Sequence, residues 1–478
     1  MSVVLEKRPV TLNLPSIRRQ GMADLGAVAL PTMLALALCL YDLTTRSLWL
    51  DESATIAIAS QHGAAFASAL AHDGGNMAGY YALVHLLIGA FGNGAVVVRL
   101  PSALAAAATV GLLSALGLRL FNRRVGLVAG LLCAVSLPLV YWGQDARGYT
   151  LMVALVCASF LVLVLAVQRP QAGWPLWLAY VAVTTAALYV GLVALFILPA
   201  QLVILAWHRR RTAWLLTGML ATLVCSIPLA VLALERGATQ VFWIPAPSAF
   251  TTKQVLLTLT SGGLEPQFYS PSGDVLRYLT ELLVAGAGVW CLTELLSRRT
   301  RTAAWRPVLA LSWTLVPLVL IWTVSKLGQS MYEARYLLIS LPAVALTLAW
   351  LLTRLAEIDL SGMALRRGRP YLRSVPVVGA VVLALALLVV RGIQVGDAYG
   401  VSTEPWRTVS NVVLTASRPG DCIAFYPMDG RMPFRYYLPA GASAPRPVLP
   451  NLPWPQVRSF VEDYATLSPA QVQRVATS

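Results

Sequence analysis

Eleven apolar runs of membrane length divide this chain, near residues 22–42, 96–118, 124–141, 148–167, 174–189, 191–207, 212–234, 277–297, 304–324, 335–354 and 374–395. A segment that crosses lipid must satisfy its backbone N–H and C=O groups internally, so runs of this length fold as helices. The stretch 174–207 is too long for one ordinary span and divides at Tyr189-Val190-Gly191 into two short helices. With 58% hydrophobic and 12% charged residues the chain is a polytopic α-helical membrane protein, not an ordinary soluble one.

A net charge of +15 would suggest nucleic acid in a soluble protein. Here the basic residues fall in short clusters between spans, so they report topology and no nucleic-acid partner is expected. Lys7, Arg8, Arg18 and Arg19 precede the first span. Arg119, Arg123 and Arg124, then Arg169, then Arg209, Arg210 and Arg211, then Arg298, Arg299 and Arg301, then Arg366, Arg367, Arg369 and Arg373 occupy alternate connections. Eleven spans with the N-terminus inside put all of them on one face. The pattern predicts a multi-pass plasma-membrane protein with a cytoplasmic basic tail over 1–21, a membrane module over 22–395 and an extracytoplasmic tail over 396–478. That tail is long enough for a small α/β domain and contains the strand-like run Asp421 to Tyr426. The arginine pair before the first span resembles an export signal, but no small-residue cleavage site follows, so a retained helix is expected. Five of the six cysteines lie within apolar runs and none shows paired metal spacing.

The opposite face receives the segments with chemistry in them: 43–95, the short turn Trp142 to Tyr149, the Pro- and aromatic-rich loop 235–276, and Lys326 to Arg335. Asp51 and Glu52 open an amphipathic stretch that runs to about His72 and is expected to lie as a helix at the interface. Carboxylates there can cap a helix, or serve as a base on a hydroxyl. Asp145 and Arg147 either pair to close a tight turn or line a cavity in which the guanidinium meets a phosphate. Arg335, before Tyr336, stands against the positive-inside tendency, which an anionic ligand explains. His85 is a satisfied core residue or a cavity residue. Lys326 and Glu265 are weaker candidates, since loop charges are usually solvated. There is no Walker loop and no His-Glu-x-x-His.

Five motifs occur in order over roughly residues 20–350: Trp49-Leu50-Asp51-Glu52, Tyr80-Tyr81 with His85, Arg99-Leu100-Pro101-Ser102, Gln144-Asp145-Ala146-Arg147-Gly148-Tyr149, and Glu333-Ala334-Arg335-Tyr336-Leu337. In these the chain resembles the GT-C superfamily of polytopic glycosyltransferases, in the branch of protein O-mannosyltransferases and the lipid A aminoarabinose transferase. In its Ala-, Arg- and Leu-rich composition it is similar to actinobacterial proteins described as mannosyltransferases. Two departures stand out. Ala78-Gly79 replaces the family's Pro-Pro before the tyrosine pair, and the His-Pro-Pro-x-x-Lys pattern of eukaryotic-type protein mannosyltransferases is absent.

The resemblance implies a GT-C-like bundle of about eleven transmembrane helices, with interfacial helices in the first outer loop and an outer C-terminal domain. It also implies an inverting transferase whose donor is a polyprenyl-monophosphate sugar, mannose being favoured. The acceptor would be a cell-envelope glycan, lipid or glycolipid, reached among membrane lipids. Asp51 would deprotonate the acceptor with Glu52 beside it, and Arg335, Arg147 and Lys326 would hold the donor phosphate. Asp145, Gln144, Tyr149, Tyr80, Tyr81, His85, Tyr336 and Glu333 would line the substrate cavity. Some relatives use a divalent cation, Mg or Mn, in which case Asp51, Glu52 or Asp145 would be ligands; others use none. The competing readings are a transporter or flippase of lipid-linked saccharides, a protein O-glycosyltransferase, and a non-catalytic assembly subunit. No internal repeat of the transporter kind is present.

Overall fold

The computed structural model describes residues 14–169, 173–237, 241–260, 271–361, 370–426, 428–439, 441, 444–449, 469, 470, 473 and 477. Lys7, Arg8, Glu265, Arg366, Arg367 and Arg369 lie outside them.

Each apolar run coincides with a helical element. The first is α1 (Leu14–Leu40), which reaches back into the expected basic tail. The segment expected to form the first outer loop folds as α2 (Leu50–Ala59), α3 (Gly63–His72) and α4 (Ala78–Phe91). Next come α5 (Ala95–Leu120), α6 (Arg123–Ala134), α7 (Leu137–Gly143), α8 (Tyr149–Gln168) and α9 (Trp174–Val190). The run after Gly191 is a short apolar element, with α10 (Ile197–Leu202) between two 3-10 turns. The second half holds α11 (Thr212–Cys225), α12 (Ile227–Arg236), α13 (Ala249–Thr260), α14 (Pro271–Leu296), α15 (Trp305–Leu327), α16 (Leu341–Ala356) and α17 (Val375–Ala398).

Among the described residues seven helices are long and apolar enough to cross a membrane, and two bent pairs bring the number to nine. The bends have a sequence cause. The α6–α7 pair turns by 61° and the α11–α12 pair by 49°. Each second half opens on a proline, Pro138 or Pro228, which lacks an N–H and starts a new helix more readily than it continues an old one. The core of the bundle is α16, every residue of which is buried from Leu341 to Thr353. Small residues allow close approach elsewhere: a Cβ added at Gly117 would stand 2.9 Å from the Gly126 backbone, where α5 meets α6.

The stretch from Asp51 to His72 is not one interfacial helix. It breaks at Ser60–His62, ahead of Gly63 with φ +53°. Only α3 lacks buried residues and suits a lipid surface. In α2 every residue from Glu52 to Ala59 is buried: Ile56, Ile58 and Ala59 pack in the bundle core, and the C-terminal tail covers Ala54 and Ala57.

That tail is a small α/β unit. It comprises α18 (Trp406–Ala416), α19 (Arg431–Tyr436) and two parallel strands, β1 (Cys422–Ala424) and β2 (Arg446–Leu449). Met432 packs against Ala54 and Ala57 of α2. The Tyr437 hydroxyl accepts the Leu48 N–H at 2.7 Å, and the Ser47 Oγ accepts the Arg407 N–H at 3.0 Å. Trp49, which precedes α2, supplies no side-chain cap. Glu404 of the tail does so instead: its Oε2 accepts the Leu50 N–H at 3.0 Å and the Trp406 indole N–H at 2.7 Å. A helix starts with unsatisfied N–H groups, and a carboxylate there also meets the positive end of the macrodipole. The helix that carries Asp51 is therefore capped from 354 residues away.

Loss of that cap, Glu404→Ala, should cost about 0.5–2 kcal/mol, read as a lowered melting temperature in detergent. Glu404→Gln keeps an acceptor oxygen and should retain most of the stability. Equal melting of wild type and Glu404→Ala would remove Glu404 from this role.

Candidate active site

Neighbouring residues on a helix point about 100° apart, so Asp51 and Glu52 at the start of α2 serve different surroundings. Glu52 turns inward. Its two oxygens receive Arg99 Nε at 2.7 Å and Arg99 Nη2 at 2.6 Å, and Oε1 also accepts the Ala146 N–H at 2.8 Å. Both side chains are 1% exposed. The rest of the Arg99 fork donates to the carbonyls of Leu43, Arg46 and Ser47. Burial alone would raise the Glu52 carboxyl, but the Arg99 charge and hydrogen bonds hold it below the usual carboxylate range. Glu52 is thus a fastener of the site, not a group open to substrate.

Asp51 turns outward and keeps 15% of its side chain exposed. Its Oδ2 lies 3.4 Å from Arg335 Nη1 and 3.7 Å from Arg147 Nη2. Arg335 is further held between two indoles, its guanidinium 4.8 Å from the Trp243 ring and 5.7 Å from the Trp49 ring. Glu333 Oε1 is 3.9 Å from Arg335 Nε, and burial raises this carboxyl above its usual range. Arg147 donates to the Tyr81 hydroxyl at 3.1 Å, and its guanidinium lies 5.8 Å from the Tyr149 ring. Tyr149 and Tyr336 face each other at 6.3 Å behind the arginines. Asp51, Arg147, Arg335, Tyr81, Glu333, Tyr149 and Tyr336 therefore share one cluster.

Other expected cavity residues are engaged elsewhere. Asp145 does not pair with Arg147: its Oδ1 accepts the Trp49 indole N–H at 3.0 Å. Burial, and then the Glu52 charge beside it, push Asp145 well above the carboxylate range, while Arg99 holds Glu52 below it. Gln144 donates to the carbonyls of Tyr41 and Leu38 at the end of α1. The Tyr80 hydroxyl bonds Ser102 and the Val98 carbonyl, tying α4 to α5. His85 Nδ1 meets the Ala59 carbonyl at 2.8 Å and its ring stacks on Phe66, at the far end of α2. Lys326 is exposed and lies over Trp322, apart from the arginines. Gln144, Tyr80 and His85 thus have their hydrogen-bond partners away from Asp51, and Lys326 makes its contact with Trp322.

Three participants carried no role in the sequence reading. Arg99 stood in a motif, but nothing there named its partner. Trp243 sits on the outer loop 241–248, which Ser330 and Gln329 hold by hydrogen bonds to the carbonyls of Pro245 and Val241. Asp73 precedes Gly74 and Gly75, both at positive φ, and the turn presses on Leu229 and Leu232 of α12. Asp73 hydrogen-bonds Tyr81, which in turn receives Arg147. Burial pushes the Asp73 carboxyl up to about 7, opposed by Arg147, Tyr81 and Arg236 and assisted by Asp51.

The donor set does not suit a divalent cation. Asp51 faces two guanidinium groups, while Glu52 and Asp145 are occupied by Arg99, Ala146 and Trp49. Among the described residues no three His, Cys, Asp or Glu side chains converge.

Comparison with known proteins follows the same lines. ArnT from Cupriavidus metallidurans, solved both bound to undecaprenyl phosphate and in the apo state, superposes with a TM-score of 0.55. The alignment has 16% identity and covers 86% of this chain and 84% of that one. The chain has the GT-C fold of membrane glycosyltransferases. The family described as dolichyl-phosphate-mannose-protein mannosyltransferase matches residues 77–233, which adds glycosyl transfer to the GT-C architecture. The archaeal oligosaccharyltransferase AglB from Archaeoglobus fulgidus, in complex with an inhibitory peptide and a dolichol-phosphate, is a second GT-C neighbour. It has a TM-score of 0.52 at 11% identity, over 89% of this chain and 61% of that one. No curated protein sequence matches.

Asp73 yields a pH prediction. The folded protein holds this proton more tightly than the unfolded chain, so its contribution to stability falls as pH rises from 3.8 to about 7. Asp73→Asn should flatten the melting temperature over that window. Parallel curves for wild type and variant would refute the assignment.

Proposed function

We propose that this GT-C protein transfers a sugar from a polyprenyl-monophosphate donor to a hydroxyl of an extracytoplasmic glycan, lipid or glycolipid at the plasma membrane, with inversion at the anomeric carbon. The observation that carries this reading is one carboxylate, Asp51, partly open and flanked by two guanidinium groups at 3.4 and 3.7 Å. A base and a bidentate anion site side by side are what nucleophilic displacement of a phosphate requires. The lipid part of the donor is supported by the ArnT neighbour, solved with undecaprenyl phosphate, and the mannosyl part by the family description.

Before the donor binds, Arg335 and Arg147 pair with Asp51. The donor phosphate then draws the two guanidinium groups to itself and frees the carboxylate. Asp51 takes the proton of the acceptor hydroxyl as that oxygen bonds to the anomeric carbon. The bond from that carbon to the phosphate oxygen breaks, and the electron pair leaves with the polyprenyl phosphate. Negative charge grows on the phosphate as the bond lengthens, so the arginines stabilise the transition state more than the bound donor. Inversion is the outcome of this single displacement, in which the acceptor oxygen attacks the anomeric carbon as the phosphate leaves.

With a polyprenyl-phosphate sugar as donor, Asp51→Asn should lower turnover about 10²–10⁴-fold at unchanged protein level. Arg335→Lys should lose about 10²–10³-fold, because lysine keeps the charge without the fork. Near-normal turnover of Asp51→Asn would return that residue to a capping role and end the proposal.

A further inference from the structure

The end of the bundle opposite Asp51 contains a hollow that the transfer reaction does not use. It has a volume of about 220 Å³ and is lined by Asn122, Glu294, Arg306, Trp350, Arg354 and Glu357. That is many times the ~15 Å³ that one water needs. A wider groove of about 470 Å³ shares Glu294, Arg354 and Glu357 and extends beside Trp290 and Ile358. From Arg99 to Phe121, α5 rises by about 33 Å at 1.5 Å per residue, so the hollow is far from the transfer site.

Its polar groups are incompletely matched. Trp350 is 2% exposed, and its indole N–H has no hydrogen-bond partner among the described residues. Arg306 has no carboxylate partner among them, and its Nε is likewise unsatisfied. These are donors without an acceptor. On the other wall Arg354 binds one oxygen of Glu294 at 2.9 Å and one of Glu357 at 3.0 Å. The second oxygen of each glutamate accepts no hydrogen bond among the described residues. The four charges sum to zero: Arg306 and the Trp350 N–H offer unmatched donors to the hollow, and the two glutamates offer their spare oxygens as acceptors.

A buried indole N–H left unpaired is costly, and a ligand oxygen would satisfy it. A simple anion satisfies these donors and is repelled by the glutamates; a simple cation does the reverse. A head with both charges satisfies both. We propose that the hollow binds the head group of a zwitterionic phospholipid, with the phosphate at Arg306 and Trp350 and the ammonium at Glu294 and Glu357. The flanking arginines, Arg119, Arg123, Arg124, Arg298, Arg299 and Arg301, mark this as the end that the positive-inside tendency assigns to the cytoplasmic leaflet. Trp290 beside the groove is of the residue type that favours the head-group level.

The test is native mass spectrometry of the delipidated full-length protein with added lipid, which needs no glycosyl-transfer assay. Wild type should retain one phosphatidylethanolamine at least ten-fold more strongly than phosphatidylglycerol, which has the phosphate but no ammonium. Trp350→Phe, which keeps a ring and removes the N–H, and Arg306→Gln should each reduce retention about ten-fold. Glu357→Gln should bring the two lipids closer together. Equal retention of both lipids by wild type would overturn the proposal, as would unchanged retention in Arg306→Gln. Displacement of the lipid by free phosphoethanolamine at equal concentration would transfer the site to a soluble ligand and overturn the lipid assignment.

Discussion

The active end of this protein depends on one buried ion pair, Arg99 with Glu52. Removing two such charges from water costs several kcal/mol per ion, and only excellent geometry with further hydrogen bonds offsets it. Here both carboxylate oxygens meet the guanidinium, an amide N–H supports one of them, and three carbonyls accept the remaining donors. The pair therefore joins four pieces of chain: the segment after α1, the first turn of α2, the 144–147 turn and the start of α5. These pieces carry Asp51 and Arg147. Removing either partner leaves an uncompensated charge, a loss of about 3–5 kcal/mol that would loosen all four together.

The bundle was legible in the sequence because lipid leaves the backbone few choices: every apolar run has a helical counterpart. Asp51, Arg147 and Arg335 were legible for the same reason, since charge at a membrane boundary needs an explanation and few are available. What could not be read was direction. Asp51 and Glu52 look equivalent side by side, although helix geometry already requires that they diverge. Gln144 and Tyr80 announce polarity, yet that polarity is spent on helix ends and helix contacts nearby. Asp145 and Arg147 invite pairing at two residues' distance, but a turn sends their side chains to Trp49 and to Asp51. Asp73 was hidden by its Gly-Gly context, where a turn is evident and the path of its carboxylate to Tyr81 is not.

The arrangement also assigns charge states that the composition cannot. Of the carboxylates near the cluster, Glu52 is held low against its burial by the bound Arg99, and Asp145 is pushed high by burial and then by the neighbouring Glu52. Asp73 sits near the middle of the physiological range, under the joint influence of burial and Arg147. Asp51 alone combines an opening to the outside with two cations. Similar side chains thus acquire different duties through what they touch.

The cap that Glu404 places on α2 has a temporal consequence. Ribosomes add about 5–20 residues per second, so the 354 residues between Leu50 and Glu404 separate their synthesis by roughly 20–70 s. During that interval α2 has its carboxylates but lacks its start, and Tyr437 and Met432 have not arrived to cover it. A truncated chain could insert its spans and still present an unfinished Asp51 helix. Until residue 404 emerges, the Leu50 N–H lacks its acceptor, so the start of the helix that carries Asp51 is set by a segment made long after it.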